Sequence, residues 1–292
     1  MKIICTGGAG FIGSNLVHAL SNEHEIHVID NLDGGNVKNL KGAKHTFHRE
    51  DICLSQIKEA DVIYHLACRK MVHSIKQPQL DLRVNTMGTL NVLENARKID
   101  ASVIVTSTGS IYGNPTIFPT PEDHPSDPES PYGVSKCAGE EYCKLYHKLY
   151  GLNVVIARPF SVYGPRQRTI GVIPKFIKQT LEGKPMTIEG NGSQSRAFTY
   201  VDDLVEGLLL LNKKGVPGEA YNIASDQSYP ILHLHKMIAN LLGVYGIKTI
   251  PRKKGDLDLS YPSTEKIKAL GWEQKTPLSM GLKKTEEWIT HG

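Results

Sequence analysis

The sequence predicts a doubly wound α/β fold, a parallel sheet covered by helices on both faces, followed by a smaller C-terminal substrate-binding lobe. Three observations predict it. Short apolar runs alternate with helix-spaced segments through the first half of the chain. A glycine-rich turn joins the first such run to the first helix. Beyond about residue 165 the strict alternation fades into shorter segments. The chain of 292 residues is long enough for a substantial core. It divides into 1–164 and 165–292, with parts of 196–224 packing back on the first unit.

In order, Lys2 to Cys5 reads as a buried strand, and the segment ending at Ser21 as a helix, with Ile12, Leu16, Val17 and Leu20 at helical spacing. Glu25 to Ile29 is a second strand, His45 to His48 a third and Asp61 to Ala67 a fourth. Leu80 to Lys98 is a helix and Ser102 to Thr108 a fifth strand that ends in hydroxyls. The long Pro- and acid-rich loop Asn114 to Pro131 suits an active-site role. Tyr132 opens a helix to about Tyr150, and Asn153 to Ala157 is the sixth strand. Helices over Ile173 to Glu182, Asp202 to Leu211 and Ile231 to Leu242, with strands at Ser195 to Tyr200 and Ala220 to Ala224, complete the reading.

The turn Thr6 to Gly13 reads TGGAGFIG. Its glycines allow a tight strand-to-helix turn, bare backbone for a diphosphate, and close helix–strand packing. The helix N-terminus then faces the anion with unpaired N–H groups and partial positive charge. The second strand ends in Asp30, where the ribose-binding carboxylate of a dinucleotide fold belongs. A carboxylate there accepts from a 2′-hydroxyl and repels a 2′-phosphate, which favours NAD over NADP. Asp51, closing the third strand, is placed to face the adenine edge. His65 to Lys70 lies on the cofactor side, at the carboxyl end of the fourth strand. Asn85 is either a cofactor contact or a polar residue satisfied in the core; spacing does not choose.

The net charge is only +4, and no basic block or aromatic–basic interleaving points to nucleic acid. The longest aliphatic block, Leu208 to Leu211, cannot span a bilayer. Five cysteines without a C-x-x-C pair read as free thiols in a reducing cytoplasm. The histidines show no metal-ligand spacing, so no metal is expected. The start Met1 to Ile4 resembles a signal peptide, but its apolar run is too short and breaks into the glycine turn, so none is expected.

Tyr132 and Lys136 share a helix face one turn apart, and Thr108 closes the preceding strand. A tyrosine with an ordinary pKa of about 10 is a poor base near neutrality. At roughly 5 Å and an effective dielectric near 20, one cation favours phenolate by about 3 kcal/mol, on the order of 2 pK units. A lysine ammonium and an oxidised nicotinamide together would therefore bring Tyr132 near working pH, with the Thr108 hydroxyl holding the reacting alcohol beside it.

On these residues the chain resembles the extended short-chain dehydrogenase/reductases, specifically the NAD-dependent sugar-nucleotide epimerase/dehydratase family, which has a Rossmann-type fold. The resemblance runs through TGGAGFIG, VIDNL (28–32), HLA (65–67), VNTMGTLNVLE (84–94), STGSIYG (107–113), SPYGVSK (130–136), VYGP (162–165), SRAFTYVDDL (195–204) and GD (255–256). It implies that Tyr132 is the base, Lys136 its electrostatic partner and ribose ligand, and Thr108 the catalytic hydroxyl. It places NAD against Gly7, Gly10, Phe11, Ile12 and Gly13, then against Asp30, Asn31, Asp51 and Ile52. Leu66, Ala67, Lys70, Asn85 and Phe160 complete its cofactor contacts, together with Tyr132 and Lys136. Substrate contacts fall on Thr108, Ser161, Arg196, Lys253 and Asp256, with Arg196 at the diphosphate and Asp256 at the nucleotide ribose.

Within the family, dehydratases carry Asp-Glu after the catalytic hydroxyl, and decarboxylases usually keep a Glu at the second place. This chain has Gly109 and Ser110, which cannot exchange protons near neutrality. The resemblance therefore implies epimerisation at C4 of a nucleotide-diphosphate sugar of the UDP-glucose/UDP-galactose type through a transient 4-keto intermediate. The alternatives are a 4-keto nucleotide-sugar reductase and a non-catalytic NAD-binding protein. Ser161 replaces the family's usual Asn, and Lys253 its usual Arg, which keeps the charge without the bidentate geometry. Ser260, or Tyr261 one residue on, stands where N-acetylated sugars are gated, and serine would leave room for an acetamido group. Family helices like those near 80–98 and 132–150 build two-fold dimers, so a homodimer is implied.

Overall fold

The computed structural model describes residues 1–252 and 258–291. The chain runs β1 (Lys2–Thr6), α1 (Phe11–Leu20), β2 (Glu25–Ile29), β3 (Thr46–His48) and β4 (Val62–His65). A short helix α2 (Met71–Ser74) precedes α3 (Pro78–Leu82), which passes through one wide π turn (Arg83–Met87) into α4 (Gly88–Ile99). Next come β5 (Ser102–Thr106), α5 (Pro131–Tyr150) and β6 (Val154–Pro159). The remainder holds α6 (Val172–Leu181), β7 (Met186–Glu189), β8 (Ser195–Ala197), α7 (Val201–Lys214), β9 (Ala220–Ile223) and β10 (Ser228–Pro230). It ends with α8 (Ile231–Leu242), β11 (Ile247–Ile250), β12 (Leu259–Ser260), α9 (Glu265–Lys268) and α10 (Leu278–His291).

Seven strands form one parallel sheet in the order β3-β2-β1-β4-β5-β6-β9. Alternate residues of each strand face opposite layers, so both faces are apolar. Ile3, Cys5, Tyr64, Ile104 and Val155 pack under α1 and α7, while Ile4, Ile63, Val103, Val105 and Ile156 pack under α4 and α5. β9 and α7 thus belong to the first layer although they follow residue 165. A third apolar cluster lies among α6, α8 and α10, beside the small sheet β10-β8-β12 and the pair β11-β7.

The strands end earlier than the sequence suggests: β4 stops at His65 and β5 at Thr106, releasing Leu66 onward and Ser107 onward as loops. β8 covers only Ser195–Ala197. The helix expected from Leu80 begins at Pro78, because proline is tolerated in a first turn, and contains the π turn. α5 is capped at both ends. The Ser130 hydroxyl accepts from the Gly133 N–H at 3.1 Å, and Gly151 closes it in the left-handed region at φ +67°.

A buried ion pair ties this helix to the sheet. Arg158 Nη2 on β6 lies 2.6 Å from Glu140 Oε2 on α5, and Arg158 Nη1 donates to the Tyr112 hydroxyl and the Glu122 carbonyl at 2.6 and 2.7 Å. The same contacts anchor the 114–131 loop. Its far side bonds the C-terminal region, with the Thr120 N–H donating to the Tyr261 carbonyl at 2.9 Å.

Candidate active site

A cavity of about 600 Å³ opens at the carboxyl ends of β1, β2, β4 and β5, where the strand order reverses between β1 and β4. Gly7, Gly10, Phe11, Ile12 and Gly13 form one wall. Gly7 sits at φ +68°, and a Cβ there would stand 2.6 Å from the Ala67 nitrogen. At Gly13 a Cβ would lie 2.3 Å from the Gly7 carbonyl oxygen, so the turn and the α1 start can pack only as glycine. Gly10 caps α1 without a side-chain bond, leaving that N-terminus without a side-chain cap.

Asp30 and Asn31 line the adjoining side. The Asp30 carboxylate accepts from the Ala9 N–H at 3.0 Å and the Leu32 N–H at 2.8 Å. Burial raises its pKa, and those two amide bonds oppose the rise. Ile52, Leu66, Ala67 and Lys70 line the cavity as expected. The glycine cradle, which any Cβ would fill, and a carboxylate fixed at the end of β2 fit NAD.

Asp51, Asn85 and Phe160 do not line this cavity. The Asp51 carboxylate pairs with Arg83 at 2.7 Å and accepts from the Cys53 N–H at 3.0 Å, and Glu50 stands on the wall instead. Asn85 is fully buried: its Oδ1 accepts from the Arg69 N–H at 2.8 Å and its Nδ2 donates to Asp81 Oδ1 at 3.0 Å. It is a polar residue satisfied within the core, the second of the two readings its spacing left open.

Behind the wall a relay of hydrogen bonds fixes one tautomer of His65. The Thr89 hydroxyl donates to the Asn85 carbonyl at 2.7 Å and so must accept from His65 Nε2–H at 3.0 Å. His65 Nδ1 then accepts from the Thr6 hydroxyl at 2.7 Å, and that oxygen receives the Ala67 N–H at 3.3 Å. Burial, then the Lys136 charge, depress the His65 pKa to about 3, so the ring is neutral.

Tyr132 and Lys136 from α5 meet Thr108 from the β5 exit on the wall of the same cavity. Lys136 is only 4 % exposed, and its Nζ donates to the Thr106 carbonyl at 2.6 Å. The Thr108 oxygen accepts from the Ser110 N–H at 3.1 Å, which orients it at the head of a short turn. Burial pushes the Tyr132 pKa up, Cys68 and Asp81 push further, and a hydrogen bond with Thr108 opposes the rise. Lys136 spends its shortest bond on the strand end.

A second cavity of about 160 Å³ shares Thr108, Pro159 and Ser161 with the first. Phe160, Ser161 and Arg196 line it, as does Ser260, whereas Tyr261 does not. Parallel pairing of β12 on β8 sets Ser260 beside Arg196. The Phe160 ring fills the space at Gly109, where a Cβ would meet Cε1 at 2.2 Å, so this site has no room for an acid there. Lys253 and Asp256 lie outside the described residues.

Sequence reasoning missed Gln167 and Arg168, which line the large cavity immediately after the VYGP segment. Their signal was position: a loop leaving the carboxyl end of β6. It also missed Glu129 and Ser130 on the small cavity, at the end of the long loop.

The family model described as the NAD dependent epimerase/dehydratase family matches residues 3–224. A putative UDP-glucose 4-epimerase of Methanocaldococcus jannaschii is 38% identical, over 98% of this chain and 98% of its own. The UDP-glucose 4-epimerase of Thermotoga maritima, solved with UDP-glucose, superposes with TM-score 0.95 at 35% identity, covering 99% of both chains. The UDP-glucuronic acid 4-epimerase of Bacillus cereus, solved with UDP-glucuronic acid and NAD, gives TM-score 0.94 at 35% identity over 99% of both chains. With a dinucleotide cleft, a tyrosine, lysine and threonine on its wall and this match along its length, the chain belongs to the NAD-dependent epimerase/dehydratase family, as an NAD-dependent nucleotide-sugar epimerase.

Proposed function

We propose that the substrate pair is UDP-glucose and UDP-galactose. Convergence of Tyr132, Lys136 and Thr108 on one wall, beside a Gly109–Ser110 step that carries no acid, supports the reading. Bound NAD supplies reversible hydride acceptance. Tyr132 takes the C4 hydroxyl proton and later returns it, Thr108 holds that hydroxyl, and Lys136 holds the cofactor ribose. Arg196, with Lys253 and Asp256, holds the nucleotide diphosphate and ribose, while Asp30 and Asn31 hold the adenosine half of the cofactor. The small side chain of Ser260 on the second cavity supports acceptance of an N-acetylated sugar as well.

The exposed apolar residues Leu145 and Leu149 on α5, with Leu82 and Met87 on the neighbouring helix, support a homodimer through these helices. Sedimentation at two concentrations tests this, and a monomer at both would refute it. All five cysteines are free thiols, in keeping with a cytoplasmic protein, and among the described residues no helix is long and apolar enough to cross a membrane.

The test of substrate is incubation of the purified protein, without added dinucleotide, with UDP-glucose, UDP-N-acetylglucosamine and UDP-glucuronic acid in parallel. UDP-galactose should form over many turnovers. Conversion of UDP-glucuronic acid alone, or turnover only with added reduced dinucleotide, would overturn the reading.

A further inference from the structure

The carboxylate of Asp81 on α3 is wholly buried, yet no ion pair reaches it among the described residues. Its two oxygens are taken by neutral donors instead. Ser135 Oγ donates to Oδ2 at 2.7 Å, and Asn85 Nδ2 donates to Oδ1 at 3.0 Å. Each donor belongs to a different part of the site. Ser135 lies on the first turns of α5, between Tyr132 and Lys136, with the Tyr132 carbonyl 3.0 Å from its hydroxyl. Asn85 lies in the π turn and grips the loop after β4 by both its backbone groups, accepting from the Arg69 N–H at 2.8 Å and donating to the Arg69 carbonyl at 3.4 Å. A second tie runs alongside, from the Thr86 hydroxyl to the Ser135 carbonyl at 2.9 Å. The extra residue in the π turn lets Asn85 and Thr86 both face α5.

We propose that Asp81 is a positioning residue for the reaction: through Ser135 and Asn85 it locks Tyr132 against the cofactor loop 66–70. As a buried carboxylate on that network it also favours the protonated phenol until cofactor and substrate arrive. The proposal rests on the epimerase reading given above. Burial raises the Asp81 pKa, and its two donors and the positive charges of Lys136 and Arg69 oppose the rise. Tyr132 is faced by Thr108 from the β5 exit and Cys68 from the loop after β4, as well as by Asp81. Asp81 is the carboxylate among these groups, and an oxidised nicotinamide adds the opposing cation.

Asp81→Asn tests this, because asparagine can still accept from Asn85 and donate to Ser135. The activity is measured on UDP-glucose across the pH range, with the NAD content and unfolding midpoint of each protein. Removing the anion makes phenolate easier to form, so the acidic limb of kcat should move about one unit toward lower pH, with NAD retained. Ser135→Ala keeps the charge and removes the tie. It should lower kcat roughly tenfold at every pH, with KM unchanged and the limb unmoved.

An unmoved limb in Asp81→Asn, with kcat lowered equally at all pH, would reduce the residue to a structural one and overturn the proposal. Wild-type kcat in Ser135→Ala would overturn it too, and that variant decides the matter where Asp81→Asn does not fold. An inactive wild-type protein would instead count against the epimerase reading.

Discussion

Lys136 Nζ donates to the carbonyl oxygen of Thr106 at 2.6 Å, so α5 is bonded to the last residue of β5, two residues before Thr108. The lysine therefore aligns Thr108 with Tyr132 as well as carrying charge. Lys136→Met should lower kcat by more than about tenfold and weaken NAD retention on gel filtration. It also leaves a buried carbonyl without its donor, at about 1–3 kcal/mol of stability. Equal NAD content and kcat in variant and wild type would contradict this.

Gly109 is a packing requirement of the Phe160 ring. Gly109→Asp restores an acid where dehydratases have one, but it must first displace that ring. The expected result is a loss of epimerase activity of at least about tenfold with no dehydrated sugar formed, because overpacking shifts the second cavity. Product analysis by NMR checks it, and a 4-keto-6-deoxy product would show that the acid had been the missing part.

His65 makes stability depend on pH. Its pKa falls from an ordinary 6.5 to about 3 on folding, so between those values the unfolded chain binds more protons. Its contribution is fully present above pH 6.5 and is lost as pH falls toward about 3, at about 1.4 kcal/mol per unit. Denaturant unfolding at several pH values should show a shallower decline below pH 6.5 for His65→Gln than for wild type. Parallel curves would contradict the assignment.

Glu140→Gln leaves Arg158 buried without its counter-charge and should cost about 3 kcal/mol in urea unfolding. The 114–131 loop hangs from the same guanidinium, so proteolysis within that loop should quicken. A change below about 0.5 kcal/mol would show that the pair is not an anchor.

The first half of the fold and the centre of the site were legible because their signals are local. The glycine turn, Asp30, and Tyr132 with Lys136 are each set by spacing within one strand–turn–helix unit, and alternating apolar residues mark strands buried on both faces. Contacts between distant segments were not legible. Asp51 was expected at the cofactor and is instead drawn to Arg83, while Glu50 takes the wall. The tie from Asp81 to Ser135 spans two helices, and only a π turn brings Asn85 into it. The C-terminal elements were hidden for a related reason. β7, β11 and β12 are short and pair only with strands far along the chain, and α10 finds its partners on α6 and α8.

The most direct measurement is the turnover of Tyr132→Phe on UDP-glucose, made on protein shown to carry as much NAD and to unfold at the same temperature as wild type. The phenol oxygen is the only atom removed, and it is the group to which the proposed mechanism assigns the C4 proton. The account predicts that kcat falls by roughly 10²–10⁴. A kcat within about twofold of wild type would contradict it.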